Sequence, residues 1–198
     1  MQYAQPAAFT LNHGQEKSSV MPLRVRLAFV GIGCMLSSTP LAAAPPRCAP
    51  TNVPVTPVAG TNLRVYQGRT PSHVIRFTSE RPGEPVEVFP EPPVRIVHRG
   101  TGAQCEIREG GVWARSGVYV GAGGSRFLLL EGSGSNAALV FYDANTCARL
   151  GEVDVSEARW RFVDSGVEVG RDCTGTTMEG CRTRRATPLG SNCAVVGK

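Results

Sequence analysis

The chain is expected to be all-β: an antiparallel meander forming a compact sandwich or barrel, blade-like in its C-terminal half and stabilised by disulfides. Three observations lead there. Short β-branched or aromatic runs alternate apolar and polar positions with period two. Clusters of Gly, Ser, Asn and Asp separate these runs at close intervals. Helical periodicity is sustained in no window outside an N-terminal leader. Composition agrees, because 23 Gly and 15 Pro among 198 residues demand frequent turns, and an aromatic share of 7% leaves the core mostly aliphatic. A hydrophobic share of 41% with 19% charged residues excludes a disordered, collagenous or multi-span membrane chain.

The elements follow in chain order. Residues 1–20 are polar and precede a second methionine, so they read as an upstream extension of a chain that starts at Met21. From Met21 a cationic segment with Arg24 and Arg26 leads into the apolar run Leu27 to Leu36 and then to small residues ending at Ala43. This is the order of a secretory signal, expected over residues 21–43, with cleavage after Ala43 or Ala44. The run is too short to span a bilayer, and the processed chain is not transmembrane. A lipid anchor at Cys34 is the alternative, because Gly33-Cys34 resembles the end of a lipobox, although Gly31 stands where leucine is usual. The expected location is periplasmic or extracellular.

Residues 44–60 hold five prolines, which remove backbone donors and favour an extended tether or an arm lying on the domain. Residues 61–198 form the single β domain. Within it, His73 to Thr78 and Val94 to Arg99 follow a period of two, and Val86 to Phe89 is a short edge candidate between Pro-rich stretches. Val118 and Val120, Phe127 to Leu130, Ala137 to Tyr142, Ala148 to Val155, Trp160 to Phe162, and Val167 with Val169 supply the remaining strands. Phe127 to Leu130 and Ala137 to Tyr142 are apolar throughout, which suits central strands covered on both faces. They are expected to pair as a hairpin around Gly132 to Asn136.

One internal echo is present. Ser116-Gly117-Val118-Tyr119-Val120-Gly121 recurs as Ser165-Gly166-Val167-Glu168-Val169-Gly170, each copy shortly after a tryptophan, Trp113 or Trp160. Between the copies, Leu139 to Tyr142, Asp143, Thr146 and the strand Ala148 to Val155 resemble a YVTN-type β-propeller repeat over residues 116–165. That resemblance implies about one four-stranded blade. A closed propeller needs at least about four blades of roughly 40 to 50 residues, so a compact sandwich or barrel is expected instead.

Loss of the signal removes Cys34 and leaves Cys48, Cys105, Cys147, Cys173, Cys181 and Cys193 as disulfide candidates. Exported chains oxidise their cysteines, and the connectivity stays open. Cys173 with Cys181 suits a local staple, and Cys48 suits a fastening for the N-terminal arm. No metal site is expected, because closely paired ligands are missing. No catalytic residue and no cofactor are assigned. Gly132-Ser133-Gly134-Ser135 lacks the spacing of a nucleophile elbow, His73 and His98 lie in strand patterns, and Asp143-Ala144-Asn145 reads as a turn. Paired carboxylates drawn from Glu106, Glu109, Glu131, Asp143, Glu152 and Asp154 would be the chemistry of an alternative, a small envelope hydrolase.

The formal charge is +5. Arg182, Arg184 and Arg185 form a basic cluster without interleaved aromatic residues, so nucleic acid is not an expected partner. The expected function is an exported, non-catalytic binding module that recognises a protein or envelope polymer through its loops, an inhibitor of a secreted hydrolase being one version. A structural component of an envelope complex is a further alternative. The candidate binding residues are Ser133, Ser135 and Asn136 in the Gly-Ser loop, together with Arg182, Arg184 and Arg185.

Overall fold

The computed structural model describes Cys48 and residues 50–90, 93–164 and 166–196. The upstream extension, the expected signal with Cys34, and the first Pro-rich residues lie outside the described residues. After Cys48 come β1 (Thr51–Asn52), β2 (Val55–Pro57), β3 (Val65–Arg69), β4 (His73–Thr78), β5 (Val88–Phe89), β6 (Val94–His98) and β7 (Gln104–Ile107). Then follow β8 (Val112–Gly121), β9 (Arg126–Ser133), β10 (Asn136–Asp143), β11 (Arg149–Asp154), β12 (Arg159–Val163), β13 (Gly166–Cys173) and β14 (Cys181–Pro188). No helix among the described residues is long and apolar enough to cross a membrane.

The strands make three antiparallel sheets. The first has the order β2-β3-β4-β6-β7, the second β1-β8-β9-β10-β11 with β5 also on β8, and the third β12-β13-β14. The second sheet is central, and the period-two geometry of a strand explains how. Phe127, Leu129, Val140 and Tyr142 point to one side and pack with Tyr66, Ile75 and other residues of the first sheet. Leu128, Leu139 and Phe141 point the other way and pack with Val167, Val169 and Trp160 of the third. A continuous apolar run is thus two interleaved faces, each meeting its own core.

β9 and β10 pair as expected, Ser133 opposite Asn136 and Leu129 opposite Val140, and β11 lies on the far side of β10. Residues 51–57 are the arm of the Pro-rich segment, and they are stitched into two sheets. β1 pairs with the second half of β8, and β2 pairs with β3. No closed barrel forms, because the three sheets stack as layers. The four strands β8 to β11 do run as a meander over the segment compared above with a propeller blade. Both their faces are covered by other sheets, however, and β12 leaves to start a sheet of its own, so they do not build a blade in a ring.

Three disulfides tie the described residues: Cys48–Cys193, Cys105–Cys147 and Cys173–Cys181, with sequence separations of 145, 42 and 8. The first fastens the N-terminal arm to the C-terminal segment beside Gly121. The second joins β7 to the turn after β10, bridging the first and central sheets. The third is the local staple, across the start of β14.

Candidate functional site

Connectivity divides the loops between two ends of the sheets. At one end lie the turns β3–β4, β6–β7, β8–β9 and β10–β11. At the other lie the β7–β8 connection, the β9–β10 hairpin, the β11–β12 turn and the loop between Cys173 and Cys181. The two ends are built differently.

The first end is locked. His73, 3% exposed, bonds Ser72 Oγ through Nδ1 at 2.9 Å and Asn145 Oδ1 through Nε2 at 3.2 Å, which ties β4 to the β10–β11 turn. That turn is an Asx turn: Asp143 Oδ1 accepts the backbone N–H groups of Asn145 at 2.9 Å and Thr146 at 3.0 Å. Arg126 holds the other Asp143 oxygen at 2.5 Å. Burial works against ionisation of Asp143, but these N–H donors, the Thr146 hydroxyl and Arg126 outweigh it and hold the carboxyl below its usual range. Cys147 closes the same turn onto Cys105. Ser72, His73 and Asn145 are the residue types of a nucleophile, base and orienting group. The backbone nevertheless passes so close that a Cβ on Gly124 would lie 2.6 Å from Ser72 Oγ, and the His73 ring is enclosed by His98 and Phe127 at 4.9 and 6.2 Å. The group is a tie between sheets centred on the buried His73, with Ser72 half-buried and Asn145 exposed.

The second end presents the Gly-Ser loop. Ser133 and Asn136 close a two-residue turn made of Gly134 and Ser135, and all four residues are exposed. Gly134 has φ +62°, the conformation that a tight hairpin needs at its first loop position. The stem is braced from both sides. Glu131 Oε1 accepts the N–H of Gly111 at 2.7 Å on the β8 side. On the β11 side Ser156 Oγ accepts the N–H of Ala137 at 2.9 Å and donates to its carbonyl at 3.2 Å. Arg171 then secures the β11–β12 turn, donating to the Ser156 carbonyl at 2.8 Å and to Asp154 at 2.7 Å. Hydrogen bonding to Ser156, whose N–H donates to Asp154 Oδ1 at 2.9 Å, lowers the Asp154 pKa, with Arg171 adding to it.

Other candidates fall into place around this frame. The loop between Cys173 and Cys181 folds over the third sheet: Met178 covers Gly170, Arg159 reaches the Gly175 carbonyl, and Arg161 bridges Glu168 at 2.7 Å and Glu179 at 3.3 Å. Arg182 and Arg184 start β14 at the hairpin end, and Arg185 lies on the opposite face of that strand. Among the described residues no hydrogen bond or ion pair joins the arginines to Ser133, Ser135 or Asn136, so the two sets do not form one cluster. Of the carboxylates considered for hydrolysis, Glu106, Asp143, Glu152 and Asp154 are each ion-paired to an arginine. The stem-bracing residues Ser156 and Arg171 carry no sequence signal, because only the fold brings them to the hairpin.

The family model described as "Immune protein Tsi1" matches residues 48–193, a span that begins and ends on the bonded pair Cys48 and Cys193. A protein of Pseudomonas aeruginosa named "Immune protein Tsi1" is 35% identical over 135 residues, covering 68% of this chain and 78% of the relative. These findings replace the propeller resemblance, whose glycine-valine echo reflects local packing rather than repeated blades. The chain belongs to the Tsi1 immune protein family.

Proposed function

We propose that this protein is an exported immune protein that protects its cell by binding a harmful protein in the envelope, with the Gly132–Asn136 hairpin as the contact element. A secreted hydrolase is the kind of partner this element suits, since a two-residue turn bearing small hydroxyl side chains is narrow enough to enter a cleft. Family membership supports the immune role. The single observation that carries the contact element is the contrast between the ends: one is locked by two long-range disulfides and the His73 tie, while the other holds out a stem-braced hairpin with four exposed residues. Rigid scaffolds presenting loops bind with little ordering cost. Export is supported by the signal-like order of residues 21–43 and by three cysteine pairs suited to an oxidising compartment.

The test uses the oxidised protein as bait in an envelope extract. The expected result is a stoichiometric protein partner whose toxicity the bait suppresses, lost with Ser133→Asp and Ser135→Asp together. Retention of partner and protection by that variant overturns the hairpin assignment. An N-terminus at Met1 or Met21 in the mature protein overturns export by a cleaved signal, and a diacylated Cys34 supports the lipid-anchored alternative.

A further inference from the structure

β14 is an outer strand, paired among the described residues with β13 and no other strand, and the C-terminal segment takes its edge at Pro188, whose carbonyl accepts the Val196 N–H at 3.0 Å, which leaves the stretch Arg182 to Ala186 open. Its residues Arg182, Thr183, Arg184, Arg185 and Ala186 are all exposed. Register sets Arg184 opposite Gly170 and Arg185 opposite Val169. Neighbouring side chains on a strand point to opposite faces. Arg182 and Arg184 therefore share one face of the ribbon and Arg185 takes the other. Val169 is buried against the central sheet while Arg185, one strand further out, is exposed, so β14 overhangs the core. None of these three guanidinium groups has an ion pair or hydrogen bond among the described residues. Arg95, Arg126, Arg149, Arg161 and Arg171, by contrast, each hold a carboxylate.

We propose that β14 is a docking edge for an extended acidic segment of a partner protein, which adds to the third sheet as a further strand. Main-chain hydrogen bonds to a free edge supply affinity in this mode of recognition, and alternate side chains supply specificity. An added strand would set its carboxylates against Arg182 and Arg184 on one face and Arg185 on the other. A flat anionic surface such as a bilayer touches one face of a ribbon at a time and leaves that division unused. Charges on an edge strand also discourage self-association, but that role requires no acidic ligand to bind. The inference does not depend on the hairpin reading, and its test needs no toxin.

The probe is a short fluorescent peptide of repeated Glu-Glu-Val-Val, which places carboxylates on both faces of an extended strand, titrated against the oxidised protein and followed by anisotropy. Saturable binding is expected, weakened about tenfold or more, equivalent to about 1.4 kcal/mol, by Arg182→Glu, Arg184→Glu and Arg185→Glu combined. The same peptide N-methylated at alternate residues keeps its charge but loses strand donors, and it should bind at least as much more weakly to the unaltered protein; this arm needs no variant to fold. No binding overturns the proposal, as does equal binding of the methylated peptide, which would leave charge alone. Preferential binding through these arginines to phosphatidylglycerol vesicles would overturn it in favour of a lipid surface.

Discussion

Gly117 lies where a Cβ would come within 2.4 Å of the Leu130 Cβ, and Gly166, at φ +154°, lies where one would come within 2.0 Å of the Thr187 carbonyl oxygen. The first glycine of each copy of the sequence echo is therefore required by a close approach to a neighbouring strand, a local packing reason that needs no repeat architecture. Gly117→Ala should cost about 1–3 kcal/mol through overpacking, read as a lower melting temperature. Asp143 gives a pH prediction. Its folded-state pKa lies below the ordinary value, so the ionised carboxylate contributes stability above the ordinary carboxylate range, and that contribution is lost as pH falls through the folded-state value. Melting temperature should drop on acidification below about pH 4, and Asp143→Asn should make that acid limb shallower. An unchanged limb would show that other carboxylates, such as Asp154, dominate it.

The element with the most at stake is the β9–β10 hairpin, because its stem belongs to both cores and its tip to neither. Leu129→Asp or Val140→Asp places an unpaired charge in the core shared with the first sheet and should cost several kcal/mol, comparable with the whole stability of a small domain. Circular dichroism melts would show unfolding or near-unfolding, and an unchanged curve for Val140→Asp would refute the central placement. Ser133→Asp at the exposed tip should leave stability within about 0.5 kcal/mol while weakening the proposed partner. β14 is the opposite kind of element. Its side chains are polar and exposed, and its strand conformation comes from the ladder with β13 and the staple at Cys181.

For the molecule as a whole, the disulfides connect what the sheets leave separate. Cys105–Cys147 joins two layers, so replacing both cysteines by serine should cost about 2–5 kcal/mol, measured by chemical denaturation. The native oxidised protein should offer no alkylatable thiol among its six paired cysteines until it is reduced. The central sheet needs covering on both sides, and the third sheet, which provides one cover, is held to it by the apolar residues Trp160, Phe162, Val167 and Val169 and by the Arg171–Asp154 pair.

By itself the sequence determined the β class, the hairpin and its tip. Period-two runs and turn clusters are local properties, and a run such as Phe127 to Leu130, apolar at both parities, announces burial on both faces. It also determined that Cys173 and Cys181 are close enough to staple. Only the tertiary structure decided the rest. β14 carries no apolar period to announce it, β1 and β2 sit in Pro-rich sequence, and β3 and β7 carry only two apolar residues each, so their strand character arises from the partners beside them. The pairing of Cys48 with Cys193 and of Cys105 with Cys147 needed the stacking order of the sheets. So did the separation of a locked end from a presenting end, because it depends on which turns the three layers bring together, and long-range contacts of that kind leave no mark on any local stretch of chain.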